Sequence, residues 1–297
     1  FGMRRGLMWT RLLVAAICLM ALGLTAVAVL QRQGTPVPVL MYHHFVEKGP
    51  VGADTVVSAE QFEEQIRALK EGGYTAITPQ QLLDYVDRKA ELPPKPILIT
   101  MDDGYTSNLT IAAPVLERYG MKATVFVIGI NVGKSVYPHS GRPLDPPRFS
   151  WDEARPWVEK GVVTVQSHTY DMHQRANYAF SGRDGVLRLP GESDEDYRAV
   201  LRQDFIQARD GLKQGLGVPM IALAFPFGLN SDQAVEELEK LGVRVTVTTD
   251  GGCSRVVPGR GGSTQCMKRW GVSDDVTGTY LLNELEKLEK RSKAPLF

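Results

Sequence analysis

The sequence is poor in cysteine, has no net charge and contains no internal repeat. Only three cysteines occur among 297 residues, so a small fold held together by disulfides is excluded, and the chain is long enough to bury an apolar core instead. Lysine and arginine together number 34, as do aspartate and glutamate, so the basic excess that nucleic-acid binding needs is absent. The composition therefore predicts a globular protein that does not bind nucleic acid.

Acidic residues are missing from the first 33 positions, whereas four arginines occur there. Residues 12–31 are apolar almost throughout, which is long enough for a helix to cross about 30 Å of hydrocarbon. Three arginines precede this segment and one follows it, so the positive-inside rule predicts a cytoplasmic N-terminus and an extracytoplasmic remainder. We expect residues 1–33 to be a cytoplasmic tip and a single-pass signal anchor in the cell membrane, with a cleaved, secreted form as the alternative.

After residue 33, apolar strand-like segments alternate with capped helices. This alternation predicts one α/β domain, residues 34–297, built as a (β/α) barrel, with a doubly wound sheet as the alternative. The predicted strands are Val37–Tyr42, Tyr74–Ile77, Pro96–Met101, Ala123–Ile128, Val162–Ser167, Met220–Phe225, Val243–Thr248 and Met267–Val272. Helices are predicted after Ser58, Thr78 and Ser150, and at 108–119, 193–214, 231–241 and 279–292.

Polar side chains end several of these strands, and the carboxyl ends of barrel strands are where reactive groups collect. These residues are His43 and His44, Asp102 and Asp103, Ser167 and His168, and Pro226 to Gly228. The adjacent aspartates fit a catalytic pair or, equally, the N-cap and first-turn acid of a helix. His168 and His173, five residues apart, must be brought together by a curled loop. Two imidazoles and one carboxylate suit a divalent metal such as zinc and leave ligand positions open, as in catalytic sites.

These motifs together resemble the polysaccharide deacetylases of the NodB-like type, carbohydrate esterase family 4. The similar segments are residues 100–104 (TMDDG) and 168–173 (HTYDMH). Residues 37–44 and 224–228 look most like the branch that deacetylates poly-β-1,6-N-acetylglucosamine, and the resemblance covers about residues 36–275. It implies a distorted (β/α) barrel and a metal-dependent hydrolase that removes N-acetyl groups from N-acetylglucosamine units of a cell-surface polysaccharide.

The resemblance also implies residue roles. By position, Asp103, His168 and His173 would hold the metal and Asp102 would be the general base, while the backbone N–H of Tyr105 would donate to the oxyanion. Zinc is the expected metal, with cobalt or nickel as alternatives.

The chain departs from the family pattern in two places. Many members take the catalytic acid from a late histidine, and no histidine follows His173 here. Ala224 stands where those members have an arginine. His43 is the best substitute acid, with His44 as the reserve.

The remaining candidates depend on weaker patterns. Arg269 could orient Asp102 in place of the missing arginine, although an arginine at such a position is more often a surface residue. Pro226, Phe227 and Trp270 are candidate substrate contacts, since aromatic faces stack on sugar rings. The sequence does not indicate protein partners in either direction.

Two further expectations concern the cysteines and rival functions. Cys253 and Cys266 lie in a Gly-rich stretch that is expected to be extracytoplasmic, so a disulfide between them is predicted. The rival functions are a peptidoglycan deacetylase, an O-acetyl esterase and a non-catalytic glycan-binding protein.

Overall fold

The computed structural model describes Met20, residues 34–49, Gly52, residues 54–177 and residues 180–292. The predicted signal anchor at 12–31 lies outside these residues, apart from Met20. Within the part of the chain that is described, none of the helices combines the length and the apolar character needed to cross a membrane.

The strands of the described residues are mostly short. They are β1 (Thr35–Val37), β2 (Val39–Tyr42), β3 (His44–Val46), β4 (Val56–Ser58), β5 (Thr75–Ala76), β6 (Pro96–Asp103), β7 (Ala123–Val127), β8 (Val163–Ser167), β9 (Ala222–Ala224), β10 (Val245–Val247), β11 (Ser254–Val256) and β12 (Trp270–Gly271). One parallel sheet has the order β10–β9–β8–β7–β6–β2–β12, and β5 also pairs with β6. Each of the eight predicted barrel strands has a counterpart in this sheet, but most are shorter than predicted, and Val37 belongs to β1 outside the sheet. The ribbons β1–β11 and β3–β4 are additions that the sequence patterns do not indicate.

The strand order decides between the two predicted architectures. From β6 to β10 each strand pairs with the next in the chain without reversal, whereas a doubly wound sheet reverses at a switch point. Met267 pairs with Val247 of β10, and β12, shortly afterwards, pairs with β2 at the opposite end of the order. Residues 267–271 therefore link both edges of the sheet, which is curled into an incomplete (β/α) barrel.

The α-helices of the described residues surround the sheet. They are α1 (Ala59–Glu71), α2 (Pro79–Val86), α3 (Ala113–Arg118), α4 (Trp151–Glu159), α5 (Asp194–Leu216), α6 (Asp232–Lys240) and α7 (Gly278–Ser292). A π-helical turn, Asn108–Ala112, precedes α3 where the sequence predicts regular helix. Short 3₁₀ turns occur at Gly129–Asn131, Pro226–Gly228 and Gly261–Thr264.

The predicted N-caps are present, with one difference. Thr78 and Ser150 each form a complete capping box with the residue three positions later. Ser58 caps α1, but its own backbone N–H is bound by Asp274 instead of Gln61. The start of α1 is therefore tied to the segment that leads into α7.

Strand β6 separates the barrel interior from the outer layer of helices. All eight of its residues are buried. Ile97, Ile99 and Met101 pack in the outer core, whereas Leu98 belongs to a second cluster that includes α2. Because side chains alternate along a strand, Thr100 and Asp102 lie on the same interior face as Leu98, closer to the carboxyl end.

Candidate active site

The two adjacent aspartates at the end of β6 reach the same place. Neighbouring residues of a regular strand point to opposite faces, but Asp103 has a left-handed backbone with φ of 72°. His168 Nε2 lies 3.9 Å from Asp102 Oδ2 and 3.6 Å from Asp103 Oδ1. Gly104, with φ of 71°, continues the turn, and a Cβ there would stand 2.9 Å from Val127 Cγ1. The backbone at the strand end thus brings both carboxylates to one histidine.

His168 follows β8 and is almost fully buried. Its Nδ1 donates to the carbonyl oxygen of Ala224 over 2.7 Å, because a carbonyl can only accept. In the neutral imidazole the lone pair is therefore on Nε2, which faces Asp103. A hydrogen bond of this kind on the far nitrogen is typical of metal-ligating histidines.

His173 returns to the same point through a tight loop. Its Nε2 lies 3.4 Å from Asp103 Oδ1, and its ring lies 4.8 Å from that of His168. Burial lowers the pKa of His173 to about 4, so the imidazole is neutral near pH 7 and can act as a ligand. The curled loop predicted for the five-residue spacing is confirmed.

The ligand atoms of Asp103, His168 and His173 all lie within 4.8 Å of one another. Asp103 Oδ1 is buried and has no hydrogen-bond partner among the described residues. A buried carboxylate oxygen without a donor is costly unless a cation or a proton satisfies it. The two imidazole nitrogens beside it complete a donor set that fits a divalent metal with nitrogen and oxygen ligands.

Asp102 is paired with Arg269. The guanidinium donates from Nη1 and Nη2 to the two carboxylate oxygens over 2.8 Å each, and both side chains are buried. Arg269 also donates to the carbonyl oxygen of Thr248 and to the hydroxyl of Thr100. Burial alone would raise the pKa of Asp102, but the charge and hydrogen bonds of Arg269, together with the nearby imidazoles of His168 and His43, outweigh burial and hold this pKa well below its ordinary value. The interpretation of Arg269 as a surface residue is wrong. Residues 267–271, which link the two sheet edges, place its side chain inside the barrel.

His43 and His44 lie at the end of β2, on the opposite side of the aspartates from β8. Burial raises the pKa of Asp103, whereas nearby imidazoles, including that of His43, lower it. Asn108 of the π-helical turn donates to the carbonyl oxygen of His43 over 2.7 Å. His44 Nδ1 is 2.9 Å from the hydroxyl of Ser107. The turn after β6 therefore binds the backbone of His43 through Asn108 and the ring of His44 through Ser107.

A cavity of about 500 Å³ opens beside the Asp–His–His cluster. Asp103, His173, Tyr105 and Phe227 line it, so these predicted site residues are brought together. The 3₁₀ turn that begins at buried Pro226 places the ring of Phe227 4.5 Å from that of His173.

Two arginines that the sequence patterns do not single out also line this cavity. Arg148 lies 3.7 Å over the ring of Tyr105, and Arg175 lies 4.0 Å over the ring of Phe227. Both belong to loops, where periodicity gives no indication of what a side chain faces.

Trp270 and the two cysteines lie elsewhere. Trp270 lines a separate cavity beside α7, so the structure does not bring it to the cluster. The predicted disulfide is wrong, because Cys253 and Cys266 are both free. The Cys266 thiol contacts Thr246 of β10, whereas Cys253 lies at the start of β11. Strand β10 is an edge strand of the main sheet, whereas β11 pairs with β1 outside that sheet.

A histidine–aspartate cluster at the carboxyl rim of a curled parallel barrel, beside a second carboxylate, fits the class of hydrolases that use a metal to cleave amide or ester bonds. Residues 89–246, more than half of the chain, match the family described as Polysaccharide deacetylase. The chain belongs to this family and is a polysaccharide deacetylase, a hydrolase.

Curated relatives and solved structures agree with this membership. YxkH of Bacillus subtilis, which carries the name of the same family, is 27% identical over 76% of this chain and 73% of its own length. The poly-β-1,6-N-acetyl-D-glucosamine N-deacetylase of Staphylococcus aureus MRSA252 is 26% identical over 63% of this chain and 59% of its own length. The solved structure of IcaB from Ammonifex degensii has a TM-score of 0.68 and 26% identity, and covers 84% of this chain and 97% of that chain.

Proposed function

We propose that this protein is a zinc-dependent deacetylase that removes N-acetyl groups from N-acetylglucosamine units of poly-β-1,6-N-acetylglucosamine. The observation that carries the proposal is the Asp103–His168–His173 cluster, with its unsatisfied carboxylate oxygen, next to ionised Asp102. The choice of polymer is supported by the similarity to the staphylococcal deacetylase and to IcaB from Ammonifex degensii.

Asp103, His168 and His173 are the proposed metal ligands, with cobalt or nickel as substitutes for zinc. A divalent cation held there would polarise the acetamide carbonyl and lower the pKa of a water molecule. Asp102 accepts the proton of the attacking water as general base, and Arg269 keeps its carboxylate ionised and oriented for that step.

The leaving glucosamine nitrogen needs a proton, and His43 is the proposed donor. It follows β2, which pairs with β6 on the edge away from β7 and β8, so an acid at His43 would lie on the other side of Asp102 and Asp103 from His168. Tyr105 begins the turn after Gly104, and its backbone N–H is the proposed donor to the developing oxyanion.

The cavity lining supports a neutral acetylated sugar as substrate. Phe227 and Tyr105 offer aromatic surface for a sugar ring, with Pro226 supporting Phe227. Arg148 and Arg175 add positive charge near the site, so the ammonium group of the deacetylated product is repelled and release is favoured.

The predicted anchor remains part of the proposal. We propose that residues 12–31 hold the protein in the cell membrane with the catalytic domain outside, near newly exported polymer. Cell fractionation of the full chain and of a chain that lacks residues 1–33 tests this. Recovery of both in the same soluble fraction would contradict it.

The function is tested by amine and acetate release from defined oligomers. The substrates are β-1,6-linked and β-1,4-linked N-acetylglucosamine oligomers, peptidoglycan fragments and an O-acetylated sugar, each with chelator and after addition of zinc, cobalt or nickel. We expect metal-restored amine release that is fastest on the β-1,6 oligomer. Faster release from peptidoglycan or from the ester would replace the proposed substrate, and no amine release with any of the metals would refute deacetylation.

A further inference from the structure

The loop between His168 and His173 has to reverse direction within four residues. Thr169 adopts a left-handed backbone with φ of 68°, and its hydroxyl accepts the N–H of Met172 over 3.2 Å. A non-glycine residue in this conformation is unfavourable by about 1–3 kcal/mol unless its surroundings impose it. Contacts outside the loop must therefore hold it.

On one side, the loop is held through its carbonyl groups. Gly129 donates its N–H to the carbonyl oxygen of Thr169 over 3.0 Å, and Ile130 donates to that of Tyr170 over 2.9 Å. These bonds attach the loop to the chain that follows β7. They leave the N–H groups of Tyr170 and Asp171 to be satisfied from the other side.

On that other side lies Asp204, a buried residue in the middle of α5 that is 6% exposed. Its Oδ1 accepts the N–H of Tyr170 over 2.8 Å, and its Oδ2 accepts the N–H of Asp171 over 2.7 Å. One carboxylate thus binds two consecutive amides midway between the two histidines. When the Asp204 carboxyl is ionised, hydrogen bonds to it are roughly twice as strong as neutral ones.

Burying an ionised carboxylate in this position costs free energy, and this argues for a specific role. Burial raises the pKa of Asp204 to about 7, although the N–H groups of Tyr170 and Asp171 act in the opposite direction. Asp204 takes no part in the Asp–His–His cluster, and neither its helix nor its sequence neighbours belong to the site.

We propose that Asp204 is a positioning residue that holds the backbone of Tyr170 and Asp171 so that His173 returns to Asp103. The inference rests on the proposed function in one respect, namely that His173 ligates a metal. The hydrogen bonds on which the inference depends are present in the metal-free protein and can be tested in it.

The test compares Asp204→Asn with the unaltered protein. Asparagine has the same shape but one acceptor oxygen, and its amide nitrogen would face the second N–H, so at least one of the two bonds is lost. We expect faster hydrogen exchange at the amides of Tyr170 and Asp171 and a zinc dissociation constant, measured by calorimetry, that rises about 10- to 100-fold. Deacetylation should recover when zinc is raised to saturate the variant.

Glu237→Gln is the matched control. Glu237 is a fully buried acid on α6 and is bound to Arg198 and Arg202 of α5, so its substitution perturbs the same helix without touching the loop. We expect a lower melting temperature in this variant with the zinc dissociation constant unchanged.

The outcomes separate this inference from the proposed function. Unchanged exchange at Tyr170 and Asp171 in Asp204→Asn would overturn the positioning role, whether or not the protein binds zinc. Equal weakening of zinc binding in Glu237→Gln would also overturn it, because the effect would then be general destabilisation. Failure of the unaltered protein to bind zinc would refute the proposed function, while the exchange measurement would still decide the role of Asp204.

Discussion

Replacement of Arg269 by methionine would remove the only charged partner that the structure gives Asp102 within hydrogen-bond distance among the described residues. The arginine contributes two 2.8 Å hydrogen bonds and a full positive charge to a carboxylate that is itself buried. Methionine fills much of the same space without a charge. The substitution therefore removes both the charge and the hydrogen bonds that Arg269 supplies to the proposed general base.

The size of the effect follows from comparing two costs. Leaving one member of a buried ion pair without its partner costs about 3–5 kcal/mol. Protonating a carboxyl of ordinary pKa at neutral pH costs about 4 kcal/mol, since each pH unit corresponds to about 1.4 kcal/mol. Because the costs are similar, burial should raise the pKa of Asp102 towards neutrality in the variant, and the base should be protonated in mildly acidic solution.

The assay is kcat/KM for amine release as a function of pH, with zinc saturating. We expect the ratio of Arg269→Met to the unaltered enzyme to fall about tenfold per pH unit on the acidic side and to recover partly in alkaline solution. Arg269→Lys, which keeps the charge but not the bidentate geometry, should lose kcat without this change in pH dependence. A constant ratio at all pH values in Arg269→Met would refute the reasoning.

Three further predictions concern the same site. In the metal-free folded protein, burial lowers the pKa of His173 from the ordinary 6.5 to about 4. Between these two values the unfolded chain binds more protons than the folded protein, so the free energy of unfolding rises with pH. The unfolding free energy should fall by about 2 kcal/mol from pH 7.5 to pH 5 in urea titrations, and less in His173→Gln. Gly104→Ala should lower stability by about 1–3 kcal/mol and weaken zinc binding, because of the left-handed backbone and the 2.9 Å approach to Val127; unchanged melting and zinc affinity would contradict this. Arg148→Gln should slow product release and increase inhibition by glucosamine oligomers several-fold; an unchanged inhibition constant would contradict the charge argument.

The sequence predicts the barrel and its metal cluster because both depend on local patterns. Apolar segments separated by caps and glycines indicate strands and helices, and the polar residues at strand ends indicate the rim. Asp103, His168 and His173 meet because parallel strands β6 and β8 carry their ends to the same edge.

The features that the sequence does not predict are set by contacts between segments that are far apart in the chain. Arg269 enters the barrel because residues 267–271 link both edges of the sheet, and Trp270, next to it, faces away towards α7. Asp204 lies in a helix rich in charged residues, where an acid is usually exposed. Cys253 and Cys266 are free for a similar reason, because they are close along the chain but contact strands of different sheets.

Of the two adjacent aspartates, Asp103 is proposed as a metal ligand and Asp102 as the general base. The measurement is zinc bound per chain together with amine released per chain, in the same samples of Asp102→Asn, Asp103→Asn and His168→Ala. We expect one zinc and no amine for Asp102→Asn, and loss of zinc in the other two. Zinc loss from Asp102→Asn equal to that from Asp103→Asn, or amine release by Asp102→Asn, would contradict these roles.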